Sequence, residues 1–283
     1  MTNPLITARD AFSDAHPEQR EVIHGREWGV VDTGGAGPVL LLIPGTLGRG
    51  DIFWQQIGAL APEARVIAVT YPATGGVAAW ADDLDALCAA RGLGAVAVLG
   101  SSLGGVVAQY LAGVHPARVA HLFAANTLDS VAGVAAHQPY ASDLHHGPIQ
   151  TLRDGFGGGL RAWAQAHPDQ ADLIDLLLAE VGGRIPEPEL RRRLLALKEG
   201  PELPPCPLPP HRITTIEADD DPLIPPPMRA AVRARLSPGV AFRFLSGGHF
   251  PYVARPALYT ALLRERLGLA ARSGWTGGQE PQA

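Results

Sequence analysis

The sequence predicts an α/β fold in which helices flank a mostly parallel central sheet and a helical cap is inserted after the sixth core strand. Short β-rich apolar runs alternate with longer helix-compatible segments, and several of these runs show no polar alternation. Such alternation is typical of βαβ units, and continuously apolar strands are typical of sheets covered on both faces. A later interval has leucines at helical spacing, which interrupts the rhythm and predicts the cap.

The individual elements follow in chain order. Residues 21–33 predict a hairpin of two antiparallel edge strands that turns near Gly25. The remaining strands are predicted at residues 38–43, 65–71, 95–99, 118–124, 212–218 and 240–245. Helices are predicted over residues 79–91, 103–115 and 256–267. The last of these begins at Pro256, because proline suits a first helical turn.

The cap interrupts an otherwise regular core. Its leucine-rich segments at residues 173–181 and 188–198 predict helices, and the proline-rich stretch at residues 201–210 ends it. The polar, glycine-rich end of the chain is expected to be disordered. The predicted divisions are an α/β core at residues 1–126 and 211–272, a cap at residues 127–210 and a disordered tail at residues 273–283.

Composition excludes several classes of protein. The chain has 283 residues, of which 46% are hydrophobic and 18% charged, so it can form a sizeable core. A net charge of −5 without a basic cluster makes nucleic acid an unexpected partner. Cys88 and Cys206 lie in no metal-ligand or disulfide spacing, so we expect plain thiols. Because no secretory signal or membrane-spanning apolar stretch is visible, we expect a cytoplasmic protein.

A G-x-S-x-G motif lies where a predicted strand must turn sharply into a predicted helix. It is the segment GSSLG at residues 100–104. In such an elbow the central serine is held in a strained backbone conformation, and small neighbours let strand and helix approach closely. The pattern therefore predicts Ser102 as a nucleophile, in preference to Ser101. The backbone N–H of Leu103 would face a developing oxyanion.

A second glycine-rich loop, PGTLG at residues 44–48, follows the strand predicted at residues 38–43. This position supplies the second backbone donor of an oxyanion hole in folds with such an elbow. Thr46 N–H is the candidate donor. Pro44 stands where many such loops have histidine, but it leaves the Thr46 amide available. The alternative interpretation is a plain connecting turn.

His249 is the candidate general base. It follows two glycines in a loop between the last predicted strand and the last predicted helix. A histidine on such a loop is poorly explained as core filling, because loops run at the surface and often carry function. Its place near the end of the chain also gives the order serine, acid, histidine that this kind of site requires.

One carboxylate should orient this histidine. The segment EADDDPLIP at residues 217–225 follows a predicted strand and precedes a helix that begins near Pro226. Asp221, directly before a proline, is the preferred acid, with Asp219 and Asp220 as close alternatives that could instead cap or solvate the loop. Asp129, just after the sixth strand, is another structurally sensible position.

With these motifs the sequence resembles the α/β-hydrolase superfamily over most of its length, and within it the maspardin branch. The similarity lies in residues 43–46, 51–57, 100–105 and 247–252. Vertebrate members of that branch keep the elbow but lack a histidine matching His249, and they are regarded as binding proteins without established hydrolytic activity. This chain departs from them because it carries a complete set of triad residues.

The residues and the resemblance together predict a carboxylesterase-like serine hydrolase that acts on an ester or related acyl compound through an acyl-enzyme. The alternative is a non-catalytic, maspardin-like module that binds a protein partner. Cap residues Phe156, Leu160 and Trp163 would roof an apolar pocket for a small hydrophobic acyl substrate.

No metal or organic cofactor is expected. The chemistry of a thioesterase, lactonase, peptidase, C–C hydrolase or perhydrolase stays open. A dehalogenase or epoxide hydrolase would need a carboxylate in place of Ser102.

Overall fold

The computed structural model describes residues 2–270, which form a central sheet with helices on both sides. The strands of this part are β1 (Gln19–Ile23), β2 (Arg26–Asp32), β3 (Val39–Ile43), β4 (Arg65–Thr70), β5 (Val96–Ser101), β6 (Val119–Ala125), β7 (Ile213–Ala218) and β8 (Val240–Phe244). The α-helices are α1 (Pro4–Ala15), α2 (Trp54–Leu60), α3 (Val77–Ala90), α4 (Leu103–Val114), α5 (Ile149–Ala166), α6 (Ala171–Ala179), α7 (Glu187–Lys198), α8 (Pro226–Leu236), α9 (Pro251–Ala254) and α10 (Pro256–Arg266).

The strand order across the sheet is β1-β2-β4-β3-β5-β6-β7-β8. The pairs β1/β2 and β2/β4 are antiparallel, and all the pairs from β4/β3 to β7/β8 are parallel. The predicted α/β fold is therefore confirmed, as is the hairpin. One detail of the hairpin prediction is wrong: β2 is not an edge strand, because it pairs with β4 on its far side. The parallel strands bring their carboxyl ends to one edge of the sheet, which is where ligands bind in such folds.

Two buried apolar layers cover the sheet. One layer contains side chains from α3, α4 and α8, and the other contains side chains from α2, α9, α10 and α6. Trp28 and Trp80 lie fully buried in the first layer, and Phe242 and Tyr259 lie in the second. Burial on both faces explains why the parallel strands have no polar alternation in the sequence.

Four helices, α1, α2, α5 and α9, were not predicted. Asn3 caps α1 by accepting hydrogen bonds from the amides of Leu5 (3.0 Å) and Ile6 (3.1 Å), and Pro4 occupies the first turn. The Asn-Pro pair is the sequence signal that could have revealed this helix. Helix α5 escaped prediction because it contains four glycines, and each lowers helix propensity by about 1 kcal/mol relative to alanine.

Helices α5, α6 and α7 lie between β6 and β7, the position predicted for a helical cap. Helix α1 contacts α6, and the buried Arg9 donates to Glu180 at 2.5 Å just after that helix. The N-terminal helix is thereby bound to the inserted segment. The domain boundaries at residues 126/127 and 210/211 stay predictions, and the tail predicted at residues 273–283 lies outside the described residues.

A buried carboxylate binds the N-terminal hairpin to α3. The side chain of Asp83 is fully buried and accepts two hydrogen bonds from Arg26, each of 2.6 Å. It also accepts one from Trp28 Nε1 at 2.9 Å and contacts His24 Nδ1 at the same distance. Removing this carboxylate would leave a guanidinium and an indole N–H without their acceptor in a buried setting.

We therefore expect Asp83→Ala to lower the free energy of unfolding by about 3 kcal/mol, the usual cost of breaking a buried ion pair. Asp82→Ala is the matched control, because Asp82 is 60% exposed and hydrogen-bonds to the partly exposed His115. Urea unfolding followed by circular dichroism measures both. Equal effects of the two substitutions would show that the buried cluster contributes nothing special.

Candidate active site

Ser102 lies between the end of β5 and the start of α4 in a left-handed backbone conformation, with φ 54° and ψ −118°. Its amide donates to Ala125 O at 2.9 Å, and its carbonyl accepts from Thr127 Oγ1 at 2.7 Å. A non-glycine residue in this region is strained, so the neighbouring strand must hold it there. This is the elbow that the GSSLG segment predicts.

Two glycines make the elbow sterically feasible. A Cβ atom on Gly100 would lie 2.0 Å from Gly104 O, and one on Gly104 would lie 2.1 Å from Ile43 O. Both distances are far inside van der Waals contact, so only glycine fits. Both Ser101 and Ser102 border a cavity, but Ser101 is buried whereas Ser102 is half-buried. The accessible serine is therefore the one at the centre of the motif.

Asp221 and His249 form a buried pair on the loops after β7 and β8. His249 Nδ1 lies 2.9 Å from Asp221 Oδ2 and 3.1 Å from Oδ1. Asp221 Oδ1 also accepts from the amides of Leu223 (2.8 Å) and Ile224 (3.1 Å). Because Nδ1 faces the carboxylate, the opposite ring nitrogen, Nε2, is the one free to act on a substrate.

The environment of Asp221 favours its ionised form. Burial would raise the pKa of this carboxyl, but the charge and hydrogen bond of His249, with hydrogen bonds from Asn126 and Leu223, lower the pKa to about 2. The carboxylate therefore stays negative at every pH at which an enzyme of this kind would work. A permanent charge at this position can orient the imidazole and stabilise its protonated form.

The three other acids weighed from the sequence lie elsewhere. Asp219 contacts Arg243 at 3.2 Å. Asp220 accepts from the amides of Gly247 (3.1 Å) and Gly248 (2.8 Å), so it holds the loop that carries the histidine. Within residues 2–270, Asp129 makes no hydrogen bond to His249.

Asn126, which the sequence reasoning missed, donates a further hydrogen bond to Asp221. It directly follows β6, is buried and has φ 44°. Its Nδ2 donates to Asp221 Oδ2 at 2.8 Å and lies 3.4 Å from Gly248 O. The signal that could have identified it is its position, because a residue directly after β6 faces the loop after β7 in a parallel sheet.

The two candidate oxyanion donors lie close to Ser102. Leu103 is the first residue of α4, so its N–H has no intrahelical acceptor and lies at the positive end of the helix dipole. The loop after β3 passes beside Ser102, since a Cβ on Gly45 would lie 3.1 Å from Ser102 Cβ. Thr46 lines the same cavity as Ser102. Both residues therefore lie beside Ser102, as the prediction of two oxyanion donors requires.

A cavity of about 850 Å³ opens above Ser102 and His249. Its roof is built largely from α5 and α6. Its apolar lining includes Leu47, Leu152, Phe156, Leu160, Trp163, Leu173, Ile174, Leu177, Leu223 and Phe250. The expectation that Phe156, Leu160 and Trp163 border the pocket agrees with this lining. An apolar enclosure with a few convergent polar groups is the usual form of a small-molecule site.

Known proteins share this architecture. Residues 40–262 match the model of the alpha/beta hydrolase family. The chain belongs to this family. It is 28% identical over 255 residues to the protein named "Putative carbamate hydrolase RutD" from Escherichia coli O103:H2, covering 80% of this chain and 90% of that protein.

Solved structures of α/β-hydrolases superpose on this chain. A thermophilic esterase from Thermogutta terrifontis has a TM-score of 0.70 and 25% identity, covering 88% of this chain and 98% of the esterase. An enol-lactonase from Burkholderia xenovorans LB400 has a TM-score of 0.71 and 16% identity, covering 88% of this chain and all of that one. The predictions of the superfamily and of an α/β-hydrolase enzyme are confirmed at this level, and the maspardin branch stays a prediction.

Three further observations describe this α/β-hydrolase. Among residues 2–270, no group of three or more His, Cys, Asp and Glu side chains is arranged to hold a metal ion. Over the same residues, no helix is long and apolar enough to cross a membrane. In this described part, the Ser102 hydroxyl forms no direct hydrogen bond with His249. Such contacts are often long without substrate and shorten when it binds.

The lowered pKa of Asp221 makes stability depend on pH. Folding lowers this pKa from 3.8 to about 2, so the stabilisation is fully present above the unfolded value and is lost as pH falls through the folded one. Relative to Asp221→Asn, the wild type should lose about 1 kcal/mol of unfolding free energy between pH 5 and pH 3. Urea unfolding of both proteins at the two pH values checks this. If the unfolding free energy of the wild type minus that of Asp221→Asn stays constant or grows on acidification, the result contradicts the lowered pKa of Asp221.

Proposed function

We propose that this α/β-hydrolase is a serine hydrolase that cleaves an ester or related acyl compound through an acyl-enzyme. The observation that carries the proposal is the placement of a strained, accessible Ser102 and a buried Asp221–His249 pair at one cavity. A serine hydroxyl is a weak nucleophile near neutral pH, so it needs an oriented base. The Ser102 hydroxyl and the His249 imidazole both line the cavity at the carboxyl edge of the sheet.

In the first half of the reaction, Ser102 Oγ attacks the acyl carbon and His249 Nε2 takes the hydroxyl proton. Asp221 stabilises the imidazolium that forms, because its carboxylate stays ionised. The amides of Leu103 and Thr46 bind the negative oxygen of the tetrahedral intermediate. When this intermediate collapses, the leaving group departs with the proton that His249 returns, and the acyl group stays on Ser102.

In the second half, water takes the place of the leaving group. His249 accepts a proton from the water as it attacks the acyl carbon, and a second tetrahedral intermediate occupies the same two amides. Collapse of this intermediate breaks the bond to Ser102 Oγ, which regains the proton from His249. The products are the free acid and an unmodified enzyme.

The cavity favours a small substrate with an apolar acyl group. Its roof presents Leu152, Phe156, Leu160 and Trp163, while the polar groups concentrate around Ser102 and His249. Such a division binds an apolar chain by burial and leaves orientation to the reacting centre. Because one relative is named as a carbamate hydrolase, a substrate panel should contain carbamates beside esters, thioesters and lactones.

The alternative is a maspardin-like module that binds a protein partner without catalysis. The hydrogen-bonded Asp221–His249 pair argues against it, since a pure scaffold has no use for an oriented base in a cavity. Wild-type protein that fails to react with a fluorophosphonate and hydrolyses no member of the substrate panel would favour this alternative.

Labelling with a fluorophosphonate should modify Ser102 and no other serine, because Ser102 shares its cavity with the oriented base His249. Ser102→Ala should abolish labelling and hydrolysis of short p-nitrophenyl esters and leave thermal stability nearly unchanged. Ser101→Ala, one residue away, should keep both activities within about 10-fold. Peptide mapping of the modified protein identifies the site. Activity that survives Ser102→Ala but not Ser101→Ala would move the nucleophile.

Asp221→Asn should lower kcat for a p-nitrophenyl ester by about 10⁴-fold, as when the orienting carboxylate of a triad is neutralised. Asp129→Asn should leave kcat near the wild-type value, because Asp129 does not contact His249. Steady-state kinetics on both variants tests the assignment. If Asp129→Asn lowered kcat strongly and Asp221→Asn did not, the acid of the triad would be Asp129.

A further inference from the structure

A fully buried arginine from α7 reaches the loop that carries Thr46. Arg193 is 0% exposed, and its Nη1 donates to Thr46 O at 3.0 Å and to Gly48 O at 2.7 Å. Helix α7 belongs to the segment inserted between β6 and β7, whereas the loop follows β3. The two hydrogen bonds therefore connect the inserted segment to the candidate oxyanion loop, 145 or more residues away along the chain.

These bonds lie directly after the peptide group that contains the Thr46 amide. Gly48 N donates to Gly45 O at 3.2 Å, and Gly45 O belongs to the same peptide group as Thr46 N–H. The C=O and N–H of a trans peptide point in opposite directions, so an oxygen turned toward Gly48 leaves the N–H pointing away from Gly48. Arg193 holds Thr46 O and Gly48 O, which are two of the three carbonyls that follow this peptide group in the loop. It thereby limits the rotation that would turn the Thr46 amide.

The same loop is held from the sheet side. Tyr71 donates its hydroxyl proton to Pro44 O at 2.8 Å, and the Arg193 guanidinium lies 5.3 Å from the centre of the Tyr71 ring. Glu189, one turn earlier on α7, accepts a hydrogen bond from Arg193 Nη2 at 3.2 Å. The carbonyls on both sides of the Gly45–Thr46 peptide group are therefore held by buried side chains that also contact each other.

Burying the charged guanidinium of Arg193 is energetically unfavourable unless its hydrogen bonds offset the loss of water. Burial lowers the pKa of Arg193, against the opposing effect of Glu189, which shows that the surroundings disfavour its charge. A buried ion pair seldom adds net stability compared with apolar residues of the same shape. An apolar side chain would fill the same space, but it would leave the carbonyls of Thr46 and Gly48 without this donor.

We propose that Arg193 is a positioning residue that fixes the Thr46 amide for oxyanion binding, so that the oxyanion hole depends on the segment inserted between β6 and β7. This proposal rests on the proposed serine-hydrolase function. Arg193 touches neither the substrate nor Ser102 in this scheme. Its effect should therefore appear in the chemical step and in the binding of tetrahedral adducts, and much less in the binding of ground-state substrate.

The test compares Arg193→Met, Arg193→Lys and Tyr71→Phe with the wild type. Arg193→Met should lower kcat for a p-nitrophenyl ester by at least about 10-fold and change KM by less than about 3-fold, because a misplaced donor weakens transition-state binding. Arg193→Lys should be intermediate, since an ammonium can reach one carbonyl. Tyr71→Phe, which removes only a hydroxyl, should also lower kcat more than it changes KM.

Arg192→Met is the matched control. Arg192 neighbours Arg193 on α7 but pairs with Glu199 at 3.2 Å on the partly exposed side, so its loss removes the same charge without touching the loop. It should leave kcat and KM near the wild-type values. Active-site titration with a fluorophosphonate corrects every rate for the fraction of folded enzyme. Phenylboronic acid, which forms a tetrahedral adduct with serine, should bind the Arg193 variants more weakly in proportion to kcat.

The outcomes separate this proposal from the proposed function. If wild-type protein hydrolyses no substrate and is not labelled, the serine-hydrolase function fails and this inference fails with it. If the wild type is active and both Arg193→Lys and Tyr71→Phe keep kcat per titrated site, Arg193 serves stability alone and the proposal is overturned. This second result is decisive even if Arg193→Met does not fold.

Discussion

The close approach of β5 and α4 at the elbow is the constraint on which the site depends. Gly100 and Gly104 lie so near each other that no side chain fits between them. This contact bends the chain sharply at Ser102 and holds it in a left-handed conformation. The bend directs the serine side chain to the cavity and begins a helix at the next residue. The proposed nucleophile and one proposed oxyanion donor therefore depend on a single packing contact.

The rest of the site is assembled from loops that meet only because the strands are parallel. The loops after β6, β7 and β8 contribute Asn126, Asp221 and His249, and both Asn126 and His249 hydrogen-bond to Asp221. Asp220 adds a second connection, since it holds the glycine amides just before His249. Adjacent acids in the segment at residues 219–221 thus have separate tasks. Asp221 binds the imidazole of His249, and Asp220 binds the backbone just before it. Asp219 forms an ion pair with Arg243.

The sequence reveals those parts of the fold and site that depend on local pattern. The strands, the elbow and the histidine loop could be predicted because apolar runs, glycine spacing and chain order are local signals. Asn126 offers only its position after β6 as a signal, since its partner Asp221 lies 95 residues away. Arg193 offers no local signal, because its partners in the loop after β3 lie 145 or more residues away. Helix α5 was missed for the opposite reason. Its local signal is unfavourable, and packing overrides it.

The glycines of α5 have a consequence for how the molecule can diversify. A Cβ atom on Gly155, Gly158 or Gly159 would meet nothing within 4 Å, so neighbouring atoms do not require glycine at these positions. The glycines of the elbow have no such freedom. The roof can therefore change its composition, stiffness and shape without disturbing the packing that holds Ser102. Natural variation could retune which molecules enter the cavity while the reacting centre beneath it remains intact.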